Sequence, residues 1–89
     1  MFIITDCTRP TPQDIVCNDV KDLRDIVMAI TDSDVCADAA YRAVGNMTFG
    51  DSYILSPYLA IDCVHDHEVQ DKLAENQKTR DQRRKETPL

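Results

Sequence analysis

The sequence predicts a helix-rich α+β fold, and three observations carry that expectation. Two adjacent segments with helical apolar spacing each have their own start and stop signals. Two short β-prone runs, residues 2–5 and 52–55, lie far apart and are the natural partners of a minimal two-stranded element. A thin helical pattern then closes the chain. The expected architecture is therefore an αα-hairpin plus a C-terminal helix around that strand pair, with an all-α small helical bundle as the alternative. At 89 residues, 43% of them apolar and none of them Trp, the chain supports one small core. Residues 1–76 read as a single acidic domain and 77–89 as a charged, frayed or disordered tail.

Taken in order, Phe2-Ile3-Ile4-Thr5 is the first β-prone run, closed by Asp6 and by Arg9-Pro10-Thr11-Pro12. Thr11 before Pro12 and Asp14 reads as a helix start, with Thr as the cap and Pro in the first turn. That helix is expected to last one or two turns, because Asp19 with Asp22 makes a second start. Val20, Leu23, Val27 and Ile30 then follow at helical spacing, widened by Ile26. A cap at Asp19 keeps its carboxylate out of this apolar stripe. Lys21, Asp22, Arg24 and Asp25 occupy the opposite face.

Thr31-Asp32-Ser33-Asp34 interrupts and restarts the pattern. The next helix, about residues 34–44, sets Cys36, Ala39, Ala40 and Ala43 on one side, with Val35 and Val44 flanking them. Asp34, Asp38, Tyr41 and Arg42 lie on the other side, where Asp38 and Arg42 are spaced for an i,i+4 ion pair. Gly45-Asn46 is a helix stop. Beyond the Gly50-Asp51 turn, Ser52-Tyr53-Ile54-Leu55 is the second strand candidate, and Ser56-Pro57 reads as a further helix start. Residues 57–65 fit either state: as a strand they put Leu59, Ile61 and Cys63 on one face, and as a helix their apolar residues scatter. From Asp66 onward the only apolar contributors are Val69, Leu73 and Ala74, until the terminal Leu89. The expected core is Ile4, Val16, Val20, Leu23, Val27, Ile30, Ala40, Val44, Leu55, Leu59 and Ile61.

The charge is uneven. Of sixteen acids and ten bases, thirteen acids and only four bases fall in residues 1–71, whereas residues 72–89 hold three acids and six bases. Thirteen of the acids are Asp, a capping and turn residue, so part of the acidity is structural. A body this acidic repels phosphate backbones, which argues against direct nucleic-acid binding by the folded part. It suits a protein partner with a basic surface. A helix-turn-helix reading fails on the same ground, since the second helix would present Asp34 and Asp38 to the groove.

Four cysteines, Cys7, Cys17, Cys36 and Cys63, form no C-x-x-C pair, and the Phe2-Ile3-Ile4 run is too short for a signal peptide. No apolar stretch is long enough to span a bilayer. Free thiols and a cytoplasmic location are the expectation. Cys63-Val64-His65-Asp66-His67 is the densest ligand cluster. On a strand Cys63, His65 and His67 share a face, and on a helix Cys63 and His67 are an i,i+4 pair; either could offer zinc two or three ligands, but a closed site needs a fourth, from Cys7, Cys17 or Cys36. Asp32, Asp34 and Asp38 do not make a calcium loop, because Ala37 and Ala43 stand where Gly and Glu are required. Two glycines leave no phosphate-cradling loop, and no nucleophile–base–orienter set is apparent.

The expected function is thus non-enzymatic and without cofactor. It is that of a small acidic inhibitor or regulatory subunit covering a partner's basic surface; a viral or mobile-element inhibitor of a nucleic-acid-processing protein is one form this could take, and strict nucleic-acid mimicry is the less favoured version, since the same charge also serves solubility. Asp22, Asp25, Asp34 and Asp38 supply charge, and Tyr41 and Tyr53 are candidate anchors, as is Tyr58. A metal-binding module at Cys63, His65 and His67 is one alternative, and an oligomeric structural protein, a homo-oligomer built on a thin core, is the other. The basic run Lys78, Arg80, Arg83, Arg84 and Lys85 reads as a solubilising helix end.

Overall fold

The computed structural model describes residues 1–86, so the end of the expected tail, residues 87–89, lies outside the described residues. Its class is mixed α+β, with four strands rather than two. In chain order the elements are β1 (Phe2–Asp6), β2 (Gln13–Cys17), α1 (Val20–Thr31), α2 (Asp34–Gly45), β3 (Ser52–Ser56), β4 (Leu59–Cys63) and α3 (Val69–Glu86). A single 3-10 turn, Asp66–Glu68, leads into α3. The sheet is antiparallel throughout, in the order β2-β1-β4-β3.

Two expectations about strands are overturned. Residues 2–5 do not pair with 52–55; β1 pairs with β2 on one side and β4 on the other, and β3 pairs with β4. The predicted short helix after Thr11 is β2 instead. Ile15 and Val16 are β-branched and fit a pleated surface, and the register Phe2↔Cys17 to Asp6↔Gln13 pairs all five residues with β1, whereas an isolated helix of two turns is unstable. The β1–β2 connection is tied by Asp6, whose carboxylate accepts from the Thr8 amide at 2.9 Å and the Thr8 hydroxyl at 2.5 Å. Ser56-Pro57 likewise starts no helix. It forms the β3–β4 turn, in which the Tyr58 amide donates to Ser56 Oγ at 3.2 Å. Residues 59–63 resolve as strand, with Leu59, Ile61 and Cys63 on the buried face.

The helical hairpin matches its local signals. Asp19 caps α1 by accepting from the Lys21 amide, and Ser33 caps α2 by accepting from the Cys36 amide. Asp32 ends α1 in the left-handed region, at φ 51°, and its amide donates to the Met28 carbonyl. The two helices pack on each other more extensively than any other pair of elements.

The sheet divides the interior into two layers. On one face Ile4, Cys17, Leu59 and Ile61 meet Leu23, Val27, Ala37, Ala40 and Val44 of the hairpin. On the other, Ile3 packs with Val64 and Val69, backed by Met1 and Leu73. Ile3 and Ile4 are both fully buried because consecutive strand residues point to opposite faces and both faces are covered. Expected as core, Val16 is instead partly exposed, on an edge strand. Helix α3 is secured by polar contacts: Arg80 to Asp14, and Asn76 to Thr5 and Asp14.

Candidate functional site

The exposed surface of the αα-hairpin is the candidate site. Burial of Leu23 and Val27 on α1 and of Ala37, Ala40 and Val44 on α2 turns the remaining faces outward. Asp22, Asp25, Asp34, Asp38 and Tyr41 are all exposed there. Between residues 19 and 45 stand six acids and three bases. Helix α3, across the sheet, carries four acids and six bases over Val69–Glu86.

Arg24 organises this face. Its Nε and Nη2 donate to Asp38 Oδ1 at 3.1 and 2.8 Å, and Nη2 lies 3.9 Å from Asp34. Hydrogen bonding to Asp38, and the charges of Asp38, Asp34 and Asp25, push the guanidinium above its usual range. Asp38 is therefore engaged across the hairpin rather than by Arg42 along its own helix. Asp22 and Asp25 remain the carboxylates of α1 without such a partner among the described residues. Sequence reasoning missed Val35, the most exposed large apolar side chain at 79%, beside Asp34. Its signal was available: at 100° per residue it lies away from Ala37 and Ala40.

Tyr53 does not join the face. It sits on β3, partly buried against the core under the hairpin. Tyr58 is exposed, at the β3–β4 turn.

Cys63, His65 and His67 are dispersed in character. Cys63 ends β4 in the buried layer, whereas both histidines are exposed. The His65 ring stacks on Phe49 with centroids 3.8 Å apart and on His67 at 5.3 Å. Phe49 is brought there by its loop, which is held on β4 by the Gly50 amide donating to the Cys63 carbonyl and the Cys63 amide donating to the Asp51 carbonyl. Among the described residues no group of three or more His, Cys, Asp or Glu is placed to hold a metal ion.

The four thiols are free. Cys17 and Cys63 both stand opposite Phe2, one on each side of β1. Two strand spacings, roughly 10 Å, separate them, beyond the reach of a disulfide. Burial, with Asp22 and Asp19 nearby, pushes the Cys17 thiol up, away from the reactive thiolate.

No family model, curated protein or solved structure matches the chain. No helix of the described residues is long and apolar enough to cross a membrane.

Proposed function

We propose that the protein is a non-enzymatic interaction factor whose acidic hairpin face covers a basic surface on a protein partner. One observation carries this reading: carboxylates from two helices, Asp22 and Asp25 on α1 and Asp34 and Asp38 on α2, are exposed together on one packed unit. Their spacing is fixed by two capped helices and the Arg24 clamp, so little ordering is needed on binding. Charge of this kind speeds encounter and selects the partner, while Val35 and Tyr41 offer apolar contact beside it. Occlusion of the partner's basic surface is then the inhibitory or regulatory act. The same charge disfavours nucleic acid as a direct ligand of the folded body.

The test begins with capture of the partner from the native host by the wild-type protein. The affinity of that purified partner is then measured across a salt series for wild type and for the Asp22→Asn, Asp25→Asn, Asp34→Asn, Asp38→Asn combination. Binding is expected to weaken with salt and to fall by tenfold or more in the fourfold variant. Affinity unchanged by both salt and neutralisation would remove the electrostatic reading.

A further inference from the structure

We infer that β3 is a self-association edge, through which two copies of the chain join antiparallel about a two-fold axis. The edge is open. β3 has a strand partner on one side only, β4, and presents its other row of backbone donors and acceptors to solvent. Edges that must stay unpaired usually carry charge, an interior Pro or a bulge; Ser52-Tyr53-Ile54-Leu55-Ser56 has no charge and no Pro, and its one irregularity lies toward its end, between Ile54 and Ser56.

The order of residues on this strand fits a second copy better than an unrelated peptide. Centred on Ile54, antiparallel self-pairing sets Ile54 against its own copy, Tyr53 against Leu55, and Ser52 against Ser56. The strand is close to a palindrome in chemical class, which is what an isologous contact requires. Tyr53 and Leu55 already pack against the hairpin core, so their meeting would extend that layer across the seam.

Charge points the same way. Each copy carries a net charge of −6, so close approach is disfavoured over most of the surface. The seam itself is uncharged, and in this register Asp51 stands opposite Pro57 rather than another acid. Asp62, the nearest acid on β4, has its carboxylate engaged by the Ser52 hydroxyl.

The uncovered sheet face supplies the apolar contact. One row across the sheet reads Ile54, Ala60, Thr5, Asp14. Helix α3 covers the Thr5 and Asp14 end through Asn76 and Arg80, and leaves Ile54 73% exposed at the other end. Two such rows joined at Ile54 would shield both isoleucines. A bulge between Ile54 and Ser56 twists the end of the strand and keeps the seam short. The dimer is accordingly a weak one, populated at high protein concentration.

Sedimentation of the full chain from about 5 to about 500 μM, a range suited to a small seam, tests this. Wild type is expected to move from monomer toward dimer mass, and further toward dimer with added salt as repulsion is screened. Ile54→Lys should remain monomeric with an unchanged circular dichroism spectrum, while Val16→Lys, on the opposite edge, should dimerise like wild type. Hydrogen exchange of wild-type β3 amides should slow as concentration rises, a readout that needs no variant. A wild type monomeric throughout, species larger than a dimer, or association lost in Val16→Lys would each overturn the inference. The salt response is opposite to that expected for the acidic face, so failure of one proposal is distinguishable from failure of the other.

Discussion

Arg80 on α3 and Asp14 on β2 form a two-pronged ion pair, with Nη1 to Oδ1 at 3.2 Å and Nη2 to Oδ2 at 3.0 Å. Both side chains are largely shielded, at 18% and 6% exposure. Helix α3 has few apolar anchors, so this pair and Asn76 hold its middle on the sheet. Arg80→Ala leaves a shielded carboxylate with Asn76 as its remaining side-chain donor. It is expected to cost about 2–3 kcal/mol, measured by urea unfolding. A double-mutant cycle with Asp14→Ala should recover a coupling of at least about 1 kcal/mol; additive losses would mean that the pair contributes nothing of its own.

Acid sensitivity should trace in part to Asp6. Burial alone would raise its carboxyl, but hydrogen bonds from the Thr8 hydroxyl and amide and from Gln13, with the Arg9 charge, outweigh burial and hold it below the ordinary carboxylate value of 3.8. The native state therefore binds fewer protons than the unfolded chain. This stabilisation is present in full above that unfolded value and is lost as pH falls through the lower folded one. Asp6→Asn should flatten the stability-versus-pH curve below about pH 4. An identical slope in wild type and variant would assign the acid sensitivity elsewhere.

The core prediction concerns the central strands. Ile61 on β4 stands beside Ile4 and is fully buried under the hairpin. Ile61→Ala should cost about 3–4 kcal/mol in chemical denaturation, through lost transfer energy and the cavity left behind. A loss below about 1 kcal/mol would indicate that the hairpin collapses onto the gap.

Asp32 tests the hairpin joint. Its φ of 51° is a left-handed conformation that an L side chain adopts at a cost. Asp32→Gly should raise the thermal midpoint, with a gain of up to about 1 kcal/mol. A decrease would show that the aspartate side chain stabilises the joint in a way its backbone geometry does not reveal.

How far the sequence carried can be judged from particular residues. The Asp19 cap, the 31–34 joint and the Gly45-Asn46 stop were legible because a cap is satisfied within four residues of itself. Leu23, Val27, Ala40, Leu59 and Ile61 were legible as core from spacing and size. The acidic face followed, since burying one side of each helix leaves Asp22, Asp25, Asp34 and Asp38 outside. Arg24 as a clamp was not legible, because Asp38 had an equally well-spaced partner in Arg42. Only the crossing of α1 and α2 chose between them.

By itself the sequence determined the helical hairpin and the division of charge between an acidic body and a basic end, and it favoured an α+β class over an all-α bundle. Tertiary structure decided the strand partners, the conversion of residues 13–17 from expected helix to β2, and the hold of α3 through Asp14. The physical reason is range. Caps, turns and helical stripes are satisfied by neighbours in the chain, whereas a strand's backbone and a shielded carboxylate are satisfied only by partners the fold brings from a distance. Arg80 lies 66 residues from Asp14, and nothing near either residue names the other.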